Sequence, residues 1–238
     1  MPTVNEVLTT LATMGTEQNR KIYARHGVSN AMSGVSFANL TTLKKQIKRN
    51  HSLAIACWDS GNHDAQVLAT MIADPEQCST ELLNTWVHQL TNYVITDAFS
   101  GLAAKTPIAL KLATAWRNAD AEWVEAAGWS VTSILAMERA DIPDSVFEPL
   151  LSRIATSIHG QKNRVRHAMN GTLTAIGIYR ETLRHKALAT AQQIGTVVVD
   201  HGETGCKTPH AVDYITKSVL KLQEMASRKS PKPPRKSS

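Results

Sequence analysis

The sequence is poor in aromatic residues (5%) and has only three cysteines in 238 residues, and its glycines and prolines are sparse outside a few short stretches. Each shortage excludes something. Cys57, Cys78 and Cys206 are an odd number without framework spacing, so a disulfide scaffold is not expected and a reducing compartment fits. No CxxC occurs, which removes the commonest zinc-site signature. No run of about 18 apolar residues offers a membrane span. The opening MPTVNEVLTTLATMG lacks the apolar core of a secretion signal, and a cytoplasmic protein is expected. A Gly-rich phosphate loop, HExxH and GxSxG are all missing, so nothing supports nucleotide hydrolysis or a hydrolase triad. Strand signals are nearly absent too: only TVVVD, from Thr196 to Asp200, has that character, and it is too short to require a sheet.

What is present is helical periodicity over a chain that is 42% apolar, enough for a sizeable core. Val4, Val7, Leu8 and Leu11 predict a first helix over 3–25, and Phe37, Leu40, Leu43 and Ile47 a second. Helical patterns then follow to the end: HSLAIACW, HDAQVLATMIAD, TELLNTWVHQL with Ser79 as N-cap, NYVITDAFSGLAA and six more. About a dozen helices joined by short loops, paired at roughly 35–45 residues, match the period of HEAT-like repeats. The expected fold is all-α, a curved α-solenoid, with a helical bundle as the competing architecture. The expected division is one domain over 1–226 and a disordered tail over 227–238. The formal charge is +6, and RKSPKPPRKSS from Arg228 carries five basic residues and no acid, so the rest of the chain is nearly neutral.

Three constellations stand out. Trp86, Leu90, Tyr93 and Asp97 share one face if a single helix runs through them. Asp is a poor interior helix residue, so Asp97 is a cap, a partner of a nearby base, or a functional carboxylate. Lys162, Arg164, Arg166 and His167 crowd a helix start, where positive charge opposes the helix dipole. They form either a solvated face or a polyanion contact, and Lys44, Lys45, Lys48 and Arg49 carry the same two readings. The loop VDHGETGCKTPH gathers Asp200, His201, Glu203, Cys206 and His210 without a standard metal spacing. No metal is expected there. Thr208 and Pro209 predict the start of the last helix, and Lys207 beside it is a candidate phosphate contact.

With those residues in view, the chain resembles the DNA alkylation repair family, the AlkD-like HEAT-repeat proteins. The resemblance covers about residues 20–220 and rests on GVSFANLTTLKKQIK, ACWDSGNHDAQVLATMIAD, TWVHQLTNYVITDAF, AEWVEAAGW and NRVRHAMNGTLTAIGIY, with VDHGETGCKTPHA similar to the C-terminal signature of one branch. It implies a curved solenoid whose concave face holds duplex DNA. Active members excise purines carrying a cationic N3- or N7-alkyl group, with a carboxylate stabilising the oxocarbenium-like sugar. On that resemblance Asp97 takes the catalytic Asp position and Tyr93 an active-site Trp position. The expected Arg falls on Ala126 and a second Trp on Gly171, with Trp129, Arg164 or Arg166 as nearby substitutes. Three functions follow as expectations: an alkylpurine DNA glycosylase, a non-catalytic reader of DNA structure or damage, and a helical scaffold for protein partners. No cofactor is expected, the DNA partner is duplex and possibly alkylated, and the chain is expected to act as a monomer.

Overall fold

The computed structural model describes residues 2–229. Among them the chain forms thirteen α-helices and no strand. In order these are α1 (Val4–Met14), α2 (Glu17–Arg25), α3 (Phe37–Ile47), α4 (His51–Asp59), α5 (His63–Ile72), α6 (Thr80–Val87), α7 (Tyr93–Ala103), α8 (Ala109–Trp116), α9 (Glu122–Glu138), α10 (Glu148–Ser157), α11 (Asn163–Tyr179), α12 (Arg184–Ile194) and α13 (Ala211–Lys229). The odd-numbered helices α3, α5, α7, α9, α11 and α13 pack each on the next as one layer, here termed the inner layer. Helices α4, α8, α10 and α12 back them as a second layer. This is the two-layer stacking of a helical-repeat solenoid, in which each repeat buries its apolar face only against its neighbours. None of the described helices is long and apolar enough to cross a membrane.

Local chemistry sets the boundaries. The first predicted helix is two helices, because Gly15 is extended (φ −70°, ψ 149°) and Thr16 caps the next helix by accepting from Asn19 N–H. An added Cβ on Gly15 would lie 1.9 Å from the Ser33 carbonyl oxygen, so the chain crosses itself there too closely for any side chain. Ser79 caps α6 as expected, its Oγ accepting from Leu82 N–H. The last helix begins at Ala211, two residues later than Thr208-Pro209 suggests, because the Thr208 hydroxyl is engaged with His201 Nε2 at 2.9 Å. Residues 227–229, placed in the expected tail, continue that helix. The remainder, 230–238, lies outside the described residues.

The core is aliphatic with an aromatic seam. Trp58 and Trp86 stack at 4.2 Å with rings 4° apart, and Phe99 and Trp116 extend the row. One buried acid organises the N-terminal part. Asp64, 1% exposed in the first turn of α5, accepts from the backbone N–H groups of Ser33 (2.6 Å), Gly34 (3.0 Å) and Val35 (2.8 Å). It thereby fixes the loop between α2 and α3 to the inner layer. Arg180 does the same near the other end: its guanidinium donates to the carbonyls of Ala136, Ile142, Leu135 and Arg139 and tethers the end of α11 to the end of α9.

Candidate functional site

Helix α7 is the axis of the site. It does not continue α6: the chain breaks over 88–92, and Asn92, 1% exposed, caps the new helix by accepting from Ile95 N–H at 3.2 Å. The single face expected to join Trp86 and Leu90 to Tyr93 and Asp97 therefore does not exist. Trp86 (1% exposed) and Leu90 (4%) belong to the core. Tyr93 and Asp97, one turn apart, remain together on the open side of α7.

Asp97 is exposed to solvent yet surrounded by protein on several sides, since it lines a cleft between α7, α9 and α11. This concave setting pushes its carboxyl up to about 6 by desolvation, while the Arg164 guanidinium pulls the other way. Because the residue is open to water, the shift reflects the protein mass around the cleft rather than a dry pocket. Asp97 makes no hydrogen bond or ion pair with the described residues, so neither the cap nor the ion-pair reading describes it. Arg164 lies with its guanidinium carbon 4.4 Å from the centre of the Tyr93 ring, a cation–π contact, and its backbone N–H donates to Glu122 Oε1 at 2.7 Å. That carboxylate relieves the positively charged start of α11, the role assigned from sequence to an incoming polyanion.

The expected substitutions divide. Ala126 is 3% exposed and inside the core, so an arginine side chain has no place there; of the nearby candidates, Arg164 from α11 is the one that lies over Tyr93. Trp129 is fully buried, flanked by Arg117 and Arg153, and reaches no cleft. Gly171 lies on the cleft floor, where an added Cβ would meet nothing within 4 Å. Lys162 donates to the Asp120 carbonyl and Arg166 to Asn163 Oδ1 at 3.5 Å. His167 lines the cleft beside Asp97, its imidazole pushed down to about 4, mainly by burial and further by Arg164 and His201.

The loop before α13 forms a wall of the site. Asn163 bonds the Asp200 backbone in both directions, each at 2.7 Å, and Asn170 Nδ2 donates to the Pro209 carbonyl at 3.1 Å. These bonds lay the loop along α11, where His201 meets His167 edge to face at 5.4 Å. Together with Arg25, His26, Tyr93, Trp123 and Arg164, the loop lines an open cleft of about 160 Å³. Lys207 is exposed and lines neither this cleft nor the Asp97 cleft. Among the described residues no three His, Cys, Asp or Glu side chains converge as a metal site would require.

At the other end of α7 lies a second feature. Lys44, Lys45, Lys48 and Arg49 from α3 and its exit line one cleft of about 300 Å³ with Lys105, two residues past α7. Arg49 pairs with Asp74 at 3.4 Å, whereas the four lysines form no ion pair among the described residues. Lys48 has φ 65° and ψ −152°, a conformation that favours glycine. Sequence reasoning found the α3 cations but missed Lys105, which only the stacking of α3, α5 and α7 brings to them. It also missed His26, Trp123 and Ser100, single residues with no pattern around them.

A layered helical-repeat fold with a solvent-open carboxylate, an aromatic and an arginine on its inner layer, and a cationic cleft on the same layer, places the chain in the class of helical-repeat solenoid proteins. The family model for DNA alkylation repair enzymes matches residues 7–215, and the chain belongs to that family. It is similar to uncharacterized proteins of Listeria monocytogenes and Listeria innocua, each 28% identical over 224 residues, covering 92% of this chain and 98% of the relative. Among solved structures it is similar to a member of a new family of proteins related to the HEAT-like repeat DNA glycosylases with affinity for branched DNA structures. That match has a TM-score of 0.86 and 27% identity and covers 93% of this chain and 95% of the other. The solenoid expected from the helical periodicity is therefore the fold, and the bundle alternative falls away.

Proposed function

We propose that this protein binds DNA along its inner layer and recognises interrupted or branched duplexes rather than continuous helix. The observation that carries the reading is the division of charge along α7. The lysine cleft at one end suits phosphates. The unneutralised Asp97 lies eight residues away, roughly 12 Å along the helix axis. A carboxylate there repels a phosphate backbone, so DNA that runs past it must present a sugar, a base edge or a cationic lesion. The affinity of the similar solved protein's family for branched DNA supports this reading. In it, Lys44, Lys45, Lys48, Arg49 and Lys105 hold phosphates, Arg164 and Tyr93 meet the backbone near the interruption, and Lys207 adds a peripheral contact.

A second reading is excision of N3- or N7-alkylated purines, and the exposed carboxylate of Asp97 favours it. An anion with no tight internal partner can stabilise the positive charge that develops on the deoxyribose as the glycosidic bond breaks. One experiment separates the two. Release of methylated bases from N-methylated duplex DNA is followed for wild type and Asp97→Asn, with binding to linear and four-way-junction DNA in parallel. Junction binding that falls steeply with salt, with no base release, supports structure recognition. Base release abolished in Asp97→Asn with binding intact supports the glycosylase. No DNA affinity in either assay removes both and leaves the helical scaffold.

A further inference from the structure

We propose that the free half of α13 is a phosphate-binding helix, and that it holds a different arm of a branched DNA from the one held at the lysine cleft. The inference rests on the DNA-binding reading above and adds a second contact surface at the far end of the inner layer. Helix α13 closes that layer, packing on α11 and α12. Ala211 and Ile215 are buried, and Val212 and Val219 pack partly against the core. Every residue from Leu220 to Arg228 is exposed. More than two turns of helix therefore stand clear of the body.

The charge on this helix is ordered. Tyr214, Lys217, Lys221, Met225 and Arg228 recur at intervals of three and four residues, so they share one face, apart from buried Ile215. The three cations form no ion pair among the described residues; of the two acids on the helix, Asp213 faces His210 at 3.4 Å, which leaves Glu224 beside the stripe. The sequence beyond Arg228, KSPKPPRKSS, adds four cations and no acid. From Lys217 to Arg228 the stripe spans roughly 16 Å. A duplex presents several phosphates over that length, one per about 1.7 Å of axis. A second copy of the chain fits worse. It would set like charges together, and the half-exposed Leu220, Leu222 and Met225 fall far short of the about 1,000 Å² that a stable interface buries. Position along the layer assigns the stripe to a separate DNA arm. Between the lysine cleft and α13, helices α5, α7 and α9 contain no lysine or arginine, and α7 carries the open Asp97. Five packing steps separate α3 from α13, roughly 40–50 Å along the layer. A continuous duplex joining both ends would lay its backbone across that cation-free, acid-bearing stretch. Two arms leaving one branch point reach both ends without doing so.

The test uses the full chain and a four-way DNA junction, with hydroxyl-radical footprinting and anisotropy titrations over a salt series. Two variants are compared with wild type, Lys217→Gln/Lys221→Gln/Arg228→Gln and Lys44→Gln/Lys45→Gln, each checked for an unchanged melting temperature. The α13 variant is expected to lose protection on one DNA arm and to lower the salt slope by about 3, at about 0.9 per phosphate contact. The α3 variant is expected to lose protection on a different arm. Loss from the same arm in both overturns the two-arm assignment. A wild-type footprint and slope in the α13 variant overturn the phosphate-binding helix while leaving the lysine cleft standing. Junction binding kept by that variant, with binding to phosphatidylserine vesicles lost, also overturns it and marks a membrane surface instead. Absence of wild-type binding to every DNA overturns the DNA reading and this inference with it.

Discussion

Asp64 and Asp97 are both aspartates on neighbouring inner helices, and the surroundings of the two differ completely. Asp64 sits at the start of α5 under the loop that precedes α3, 1% exposed, with three backbone N–H groups donating to its carboxylate. Asp97 sits on α7 at the cleft toward α11, open to water, with no donor among the described residues and one arginine near enough to act only through its field. Residue type and helix position are shared, so neither sets the role. What does is whether the fold has already used the carboxylate's capacity to accept. Around Asp64 that capacity is spent on architecture, and around Asp97 it is left for something outside the chain.

The largest effect that can break this comparison is on stability. Asp64→Ala is expected to cost at least about 3 kcal/mol, since three N–H groups lose their acceptor, two of them buried. Asp97→Asn is expected to change unfolding free energy by no more than about 0.5 kcal/mol. Chemical denaturation of the two variants checks this, and equal losses would remove the distinction. The next effect concerns the cationic end of α7. Lys48→Gly relieves a backbone conformation that favours glycine and is expected to stabilise the fold by about 1 kcal/mol. If the lysine cleft holds phosphates, the same change weakens DNA binding and lowers the salt slope by about 1. A variant that gains stability and loses affinity separates the site from the scaffold; unchanged affinity would take Lys48 out of the interface.

Smaller still is the electrostatic coupling in the Asp97 cleft. Arg164→Met removes the charge that opposes desolvation, so the Asp97 carboxyl is expected to titrate above about 6, followed by the NMR shift of its carboxyl carbon. A titration unmoved by that change would show that Arg164 does not act on Asp97. The smallest effect is pH-linked stability, where the two cleft residues oppose each other. Because folding raises the Asp97 pKa, its contribution is present below the ordinary carboxyl range near 4 and is lost as pH rises through about 6. Folding lowers the His167 pKa to about 4, so its contribution is present above the ordinary imidazole value of about 6.5 and is lost as pH falls toward 4. Across this window the stability of wild type relative to Asp97→Asn should fall as pH rises, and relative to His167→Gln it should climb. Parallel curves for all three would show that neither group is perturbed by the fold.

Much of the architecture was legible in the residues. Apolar positions recurring at helical spacing, Ser79 before TELLNTWV, and the scarcity of strand-like runs lead directly to stacked helix pairs, because one-sided amphipathic helices have to cover each other's faces. The breaks were less legible. Asn92 reads as an ordinary polar residue in NYVITDAF until its side chain is seen capping α7, and the continuous face from Trp86 to Asp97 depends on missing that cap. Thr208-Pro209 has the residues of a helix start, but the Thr208 hydroxyl is held by His201.

The sequence alone determined the helical class, the family, the pair of Tyr93 and Asp97 one turn apart, and the cation run Lys44 to Arg49. All of these depend on local spacing or on motif order along the chain. Only the tertiary structure decided which acid is architectural and which is open. It also decided that Arg164 lies over Tyr93, that Lys105 joins the α3 cations, and that Ser100, His167 and Gly171 border one cleft. Those relations link residues tens of positions apart through the packing of α3, α5, α7, α9 and α11. Burial, desolvation and hydrogen-bond satisfaction are properties of that packing, and no local pattern encodes them.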